Sequence, residues 1–447
     1  MTRQGFRKSR QAPLPRNIYR RTPLTHRGGA SRFGPRPAEP SCGLKAQCGS
    51  CKFVNGDYNE GLDTKFKAGV EVLRNAGLLD RSRVLAPVPS PHPLAYRSLA
   101  KLAVRKARPG APGVSTSFSP EGEIIPNRFG IGLFASGSHN IVDMDSCPLH
   151  TQPISRFIRD LRTELNRSTL IPYDETKQTG QLRYVAVRSA HLTGELMVTF
   201  VVTEPLKLEL RQIIGSLQRR GHKINSAHMN LNAEAGNAIF GAQTIRLAGS
   251  ERLRESVCDL SFEVGPTSFF QINPWQAINL YRRVEAVAGP AMGATPVAWD
   301  LYCGTGQISL VLARLGYRVL GIEENPSAVR DAQSNAKRNK LEAQTEFLAA
   351  RVEDSQETLP RWAQTPSLIV VNPSRRGLAE GTRKHLARLL ANEPQARFMY
   401  VSCDVETLAR DLKVICDLSG FQVRQVEPFD MFPQTDNMEW LAVLNRP

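Results

Sequence analysis

Residues 297–341 read VAWDLYCGTGQISLVLARLGYRVLGIEENPSAVRDAQSNAKRNKL, and no other stretch narrows the possible folds as strongly. An apolar run ends in a glycine turn, a helical stretch follows, a second apolar run ends at Glu323 and Glu324, and another helical stretch comes after. Continuous apolar runs suit strands buried on both faces, and parallel strands need a crossover helix between them. The pattern predicts a doubly wound, mostly parallel sheet in an α/β fold, with ligands bound beyond the carboxyl ends of the strands. "PSLIVVNPSRRGL" and "FMYVSCD" supply two later strands. Gly304 and Gly306 let the backbone approach a ligand closely. Glu323 or Glu324, about twenty residues beyond the turn, can accept hydrogen bonds from ribose hydroxyls. The turn is not a GxGxxG fingerprint and has no phosphate-binding Lys-Ser/Thr pair, so neither a dinucleotide nor a nucleoside triphosphate is favoured. S-adenosylmethionine, a nucleoside cofactor without phosphate, suits it.

Upstream of that segment the cysteines are the informative residues. Cys42, Cys48 and Cys51 fall within "SCGLKAQCGSCKF", separated by five and two residues, and Cys147 follows far downstream in "HNIVDMDSCPLH". Three thiolates so spaced can wrap one site, and a fourth from a distant loop can close it. In an intracellular protein such a set points to metal rather than disulfides. Four cysteines suit either zinc or an iron–sulfur cluster, and spacing alone leaves both open. Cys258 and Cys416 have no partners at metal spacing and are expected to pack.

Between these landmarks, residues 58–79 predict a helix with Leu62, Phe66, Val70, Leu73 and Leu78 on or near one face. "LAYRSLAKLAVR" and "RFGIGLFASGSHNIVDM" read as strands that bring Cys147 towards the triplet, and "LRYVAVRSAHLTGELMVTFVVT" reads as a hairpin turning near Thr193 and Gly194. A chain of 447 residues exceeds one ordinary core. A β-rich central domain holding the metal site is expected over 41–250, and the Rossmann-like domain over 251–447.

The formal net charge of +16 favours an anionic partner, with nucleic acid ahead of a membrane surface. Between Met1 and Pro40, ten arginines and lysines face Glu39 alone among prolines and glycines. That composition predicts a disordered basic arm able to contact RNA phosphates, with a solubility tail and an organellar transit segment as alternatives. No apolar run approaches the roughly 18 to 20 residues that span a bilayer, and no secretory pattern opens the chain. A cytoplasmic, monomeric protein without a membrane partner is expected.

"SFFQINP", "DLYCGTGQISL", "VVNPSRRGL", "YVSCDVETLARDL" and "FDMFPQTDNMEWLAVL" occur in an order that resembles the RNA uracil-C5 methyltransferases, and the cysteine-rich stretches are similar to that family's iron–sulfur ligands. The resemblance implies S-adenosylmethionine-dependent methylation of uridine carbon 5. It also implies a four-iron four-sulfur (4Fe-4S) cluster on Cys42, Cys48, Cys51 and Cys147, choosing iron over zinc. Carbon 5 of uracil is too weak a nucleophile to attack a sulfonium methyl, so a thiolate must first add at carbon 6 and generate an enolate. By the resemblance Cys403 is that thiolate, and Glu439 is the base that later removes the carbon-5 proton. Outside these motifs Cys403 would be a buried strand-end thiol and Glu439 a surface acid. Lying before a helix, Cys403 is expected to gain acidity from the helix dipole. Gln271, Tyr302, Gly304, Glu323 and Asn372 would line the cofactor side, Gln271 also lying near the target base.

Three departures from the family pattern bear on this. Asn372 stands where many relatives carry aspartate, yet it can still accept from uracil N3–H while donating to a carbonyl. Asn437 replaces a frequent histidine two residues before the base, and Asp404 replaces an asparagine after the nucleophile, where its charge would raise the thiol pKa. The segment before Cys42 is too short for the small β-barrel of larger ribosomal relatives, and the transfer-RNA branch usually lacks the cysteine cluster. Both features imply 23S ribosomal RNA as substrate. Transfer-RNA methylation and a catalytically decayed iron–sulfur RNA-binding protein are the alternatives.

Overall fold

The computed structural model describes residues 41–79, 84–107, 117–118, 124–125, 127–292, 296–354 and 365–447. The basic arm expected over 1–40 lies outside the described residues. Up to residue 264 the elements are α1 (Lys45–Cys48), α2 (Tyr58–Asn75), β1 (Leu99–Lys106), β2 (Ser117–Phe118), β3 (Ile124–Ile125), β4 (Phe129–Phe134), β5 (Ile141–Asp143), α3 (Gln152–Arg167), β6 (Leu182–Ser189), β7 (Leu196–Val202), α4 (Lys207–Arg219), β8 (Ile224–Leu231), β9 (Gln243–Gly249), β10 (Leu253–Val257) and β11 (Leu260–Val264). They continue as α5 (Pro274–Ala288), β12 (Val297–Leu301), α6 (Gln307–Arg314), β13 (Arg318–Glu323), α7 (Pro326–Arg338), β14 (Thr345–Ala349), β15 (Leu368–Val371), α8 (Glu380–Asn392), β16 (Arg397–Ser402), α9 (Val405–Ser419), β17 (Gln422–Phe429) and β18 (Glu439–Asn445).

Seven strands of the first half form one sheet in the order β5-β4-β1-β6-β7-β8-β9. The expected hairpin is β6–β7, and β7–β8 is the sheet's one parallel pair, joined by α4 as crossover. The central part carries two helices that a β-rich expectation leaves out. Ile154, Phe157, Ile158, Leu161 and Leu165 of α3, with Leu210, Ile213, Ile214 and Leu217 of α4, bury against Leu102, Val185 and Val198. Those α3 positions follow the helical repeat, which the polar residues between them disguise.

The second sheet runs β14-β13-β12-β15-β16-β18-β17. Its five strands from β14 to β16 are parallel, and β18 is antiparallel to both neighbours. This is the doubly wound arrangement that the strand–turn–helix alternation predicts. Leu280, Val284, Ile308, Val311, Val329 and Ala332, on α5 to α7, cover one face. Leu386, Leu390, Leu408, Leu412 and Ile415, on α8 and α9, cover the other together with Leu62 and Leu73 of α2. Helix α2, which follows the cysteine triplet, therefore packs on the C-terminal sheet. It ends at Asn75 rather than near Leu79, because Gly77 turns the chain with φ 73°. Its Gly69 lies so close to Trp440 that a Cβ there would meet the indole at 2.1 Å. No helix among the described residues is long and apolar enough to cross a membrane.

Candidate active site

Parallel strands end on one edge, so the loops after β12, β13, β15 and β16 converge there. Because β18 runs the other way, its first residue reaches the same edge. Ser402 pairs with Trp440, which sets the next residues out, Cys403 and Glu439, side by side. A cavity of about 490 Å³ opens at this edge. Cys403, Glu439, Gln271, Tyr302, Gly304, Glu323 and Asn372 all line it. Residues as far apart in sequence as Phe269 and Glu439 thus share one chamber.

At the cofactor end the backbone turns sharply, with φ 63° at Tyr302, 57° at Gly304 and 85° at Gly306. Glu323 is oriented through both oxygens: Gly304 N donates to Oε2 at 3.1 Å and Asn325 N to Oε1 at 2.9 Å. Between the two candidate acids, Glu323 is half-buried and held, whereas Glu324 is exposed. Tyr302 donates its hydroxyl to Glu353 at 3.0 Å, which fixes its ring as a wall. Asp300 also lines the cavity. Its Oδ2 accepts from Ser309 at 2.5 Å, while Oδ1 is buried without a partner. Burial pushes this carboxyl up to about 7. A buried acceptor without a partner at a cavity wall suits a ligand that brings a donor.

At the other end, burial pushes the Cys403 thiol up to about 11, the neighbouring Glu439 carboxylate adding to the rise. The expected gain in acidity from the helix dipole is therefore outweighed. Asp404 raises the thiol, as expected from its charge, while its side chain caps α9 by accepting from Thr407 N at 2.9 Å. Arg375, on the same cavity wall, acts the other way, its positive charge lowering the thiol pKa. Burial also pushes Glu439 up to about 8, again against the pull of Arg375. One guanidinium thus serves both groups. Sequence reasoning missed Arg375, although it lies inside "VVNPSRRGL", and missed Asp300, directly before the glycine turn. It also missed Phe269, which lines the cavity yet is 63% exposed.

Cys42, Cys48, Cys51 and Cys147 line a second, smaller cavity together with Arg97. The distant Cys147 thus joins the triplet. Burial, together with the charges of Cys147, Cys48 and Cys42, pushes Cys51 up to about 12. Four thiolates gathered this way repel one another unless a cation holds them, so the donor set suits a thiophilic metal group. Among the described residues, no three Cys, His, Asp or Glu are drawn together tightly enough for a single ion.

The profile of the family described as tRNA (Uracil-5-)-methyltransferase matches residues 131–447. An uncharacterized RNA methyltransferase of Geobacter sulfurreducens is 34% identical over 409 residues, covering 92% of this chain and 77% of that protein. Another, from Enterococcus faecalis, is 32% identical over 389 residues, covering 87% and 79%. Among solved structures, the tRNA (uracil-54, C5)-methyltransferase of Pyrococcus abyssi, in complex with S-adenosyl-L-homocysteine, superposes with a TM-score of 0.65. The two are 27% identical, and the match covers 87% of this chain and 83% of the other. The chain belongs to the tRNA (uracil-5-)-methyltransferase family and is an RNA (uracil-C5)-methyltransferase.

Proposed function

We propose that the enzyme methylates carbon 5 of a uridine in 23S ribosomal RNA, using S-adenosylmethionine and a covalent Cys403 adduct at carbon 6. The observation that carries this is the juxtaposition of Cys403, Arg375 and Glu439 with the Glu323 turn in one cavity. S-adenosylmethionine supplies an electrophilic methyl group on a sulfonium. Glu323 would accept from its ribose hydroxyls, and Asp300 Oδ1 would take a donor from the same ligand. Asn372 and Gln271 would hold the edge of the uracil, which must leave its stack to enter.

Cys403 gives its thiol proton to solvent water and forms the bond to carbon 6, with the displaced electron pair moving onto O4 as an enolate. Arg375 stabilises the thiolate before attack, in a site whose burial alone would keep the thiol protonated. Carbon 5 of the enolate would then take the methyl, the donor sulfur keeping the electron pair of the broken C–S bond and leaving as a neutral thioether. The ionised fraction of Glu439, which grows as pH approaches 8, then removes the carbon-5 proton; the 5,6 double bond re-forms and the sulfur leaves as thiolate. Phe269, exposed at the cavity rim, would stack a neighbouring base. Cys42, Cys48, Cys51 and Cys147 would hold a four-iron four-sulfur cluster, for which this chemistry requires no redox step, so its work is structural and RNA-positioning.

Transfer RNA is the second substrate reading, favoured by the named substrate of the Pyrococcus abyssi enzyme. The cysteine quartet favours ribosomal RNA. Offering both unmodified RNA pools to the purified holoprotein separates them: label in ribosomal RNA supports the first reading, label in transfer RNA the second.

A further inference from the structure

Strands β17 and β18 are joined by the loop 430–438, closed by the pair Phe429 and Glu439. Phe432 from this loop and Glu439 at its end both line the catalytic cavity. The loop is wrapped around an ammonium that comes from far away in the chain. Lys65, on α2 and only 5% exposed, reaches Asp430 Oδ1 at 2.5 Å. The same Nζ approaches the carbonyl oxygens of Phe432 at 3.2 Å, Thr435 at 3.3 Å and Asn437 at 3.3 Å. Three N–H donors thus face four acceptors, all from one nine-residue loop.

Helix α2 cannot slide to relax this cradle, because Gly69 lies against Trp440, the residue after Glu439. The far side of the loop is tied to the segment after the cysteine triplet and to the chain before β1. Phe53 N donates to Gln434 O at 3.0 Å, and the Tyr96 hydroxyl donates to Pro433 O at 3.0 Å. Asn273, fully buried in "FFQINP", donates to Met431 O at 3.2 Å and so joins the loop to the wall that carries Gln271.

We infer that Lys65 is a positioning residue for catalysis: its ammonium shapes the loop 430–438 and thereby sets where Glu439 and Phe432 stand in the cavity. This rests on the reading of Glu439 as the base. Phe432 O also accepts from Thr435 N at 3.2 Å and Thr435 Oγ1 at 2.8 Å, but the carbonyls of Thr435 and Asn437 take Lys65 as their donor among the described residues, and buried carbonyls must be paired. Removing the cation would therefore displace the proton-abstracting carboxylate while leaving Cys403, directly after β16, and the Glu323 turn in place.

The test compares Lys65→Met and Asp430→Asn with wild type in the cluster-loaded full-length protein. In Lys65→Met, amide exchange should rise across 430–438 and not across α6 and α7. A displacement of about 1 Å costs on the order of 100-fold in rate, so kcat should fall by about that factor. The KM for S-adenosylmethionine should stay within about twofold, because the cofactor wall is untouched. Covalent enzyme–RNA adduct should accumulate, since its formation does not need Glu439 and its breakdown does. Asp430→Asn, which keeps the shape and leaves the three carbonyls paired, should show the same split at smaller size, and decides the matter if Lys65→Met does not fold. Unchanged exchange at 430–438, or a loss of kcat that tracks the folded fraction with no adduct, overturns the inference. Wild type that transfers no methyl would instead sink the proposed function, while the exchange measurement still decides the role of Lys65.

Discussion

Replacing Glu439 with Gln should make the protein more stable, and increasingly so as pH rises. Burial holds this carboxyl at about 8 in the fold, against an ordinary value of 4.5. A group whose folded pKa is raised contributes its full stability below the unfolded pKa and loses it as pH rises through the folded one. The window is therefore pH 4.5 to 8. At about 1.36 kcal/mol per pKa unit, burying Glu439 costs roughly 2 kcal/mol at pH 6, roughly 3 at pH 7 and approaches 5 by pH 9. Glutamine has nearly the same shape and no such dependence, so the stability gap between variant and wild type should widen by about 3 kcal/mol from pH 6 to pH 9. At roughly 1 °C per kcal/mol for a compact unit the size of Pro40–Pro447, the melting temperatures should diverge by about 3 to 4 °C. Thermal unfolding of both proteins across that range is the assay. A gap independent of pH, or a variant less stable at pH 9, would refute the claim that Glu439 is held protonated by burial. The same variant should form the Cys403 adduct and fail to release it, which would show that the cost in stability serves catalysis.

Other consequences can be checked separately. Cys403→Ala should abolish methyl transfer and leave RNA affinity within about twofold by filter binding, whereas a parallel loss of affinity would count against a nucleophile. Arg375→Met removes a cation that lowers the Cys403 pKa, so iodoacetamide should label that thiol more slowly at pH 8; unchanged labelling would remove Arg375 from the site. Phe269→Ala should raise the KM for RNA by about 5- to 100-fold, the worth of a stacked base, with the S-adenosylmethionine KM unmoved. Cys48→Ser should reduce bound iron, solubility and RNA affinity together, and retention of all three would sink the cluster assignment.

The C-terminal sheet was largely legible because it is written twice, in continuous apolar strands and in the helical stretches between them. The motif residues were legible for another reason. All but Gln271, which lies in the loop between β11 and α5, sit at a strand end or within three residues of one, where chemistry rather than packing chooses the side chain, and all seven line the one cavity. Asp300 and Arg375 escaped notice because their roles depend on neighbours brought together only by the fold. An acid at the end of an apolar strand looks the same in sequence whether or not its second oxygen finds a partner. The acidity of Cys403 was misjudged for a similar reason: the helix start is visible in sequence, but the burial and the adjacent Glu439 that outweigh it are not. The helices α3 and α4 were overlooked because short apolar steps between charged residues read weakly without the sheet they cover. Lys65 is the extreme case. In sequence it is one lysine on an amphipathic helix, and only the structure shows four acceptors, 365 to 372 residues away, around its ammonium.

The most direct measurement is transfer of a tritiated methyl group from S-adenosylmethionine to unmodified 23S ribosomal RNA and to bulk transfer RNA, followed by nucleoside analysis, with Cys403→Ala in parallel. The account predicts 5-methyluridine in ribosomal RNA from the wild-type holoprotein and none from the variant. Label in neither pool, or label that survives loss of Cys403, would contradict it.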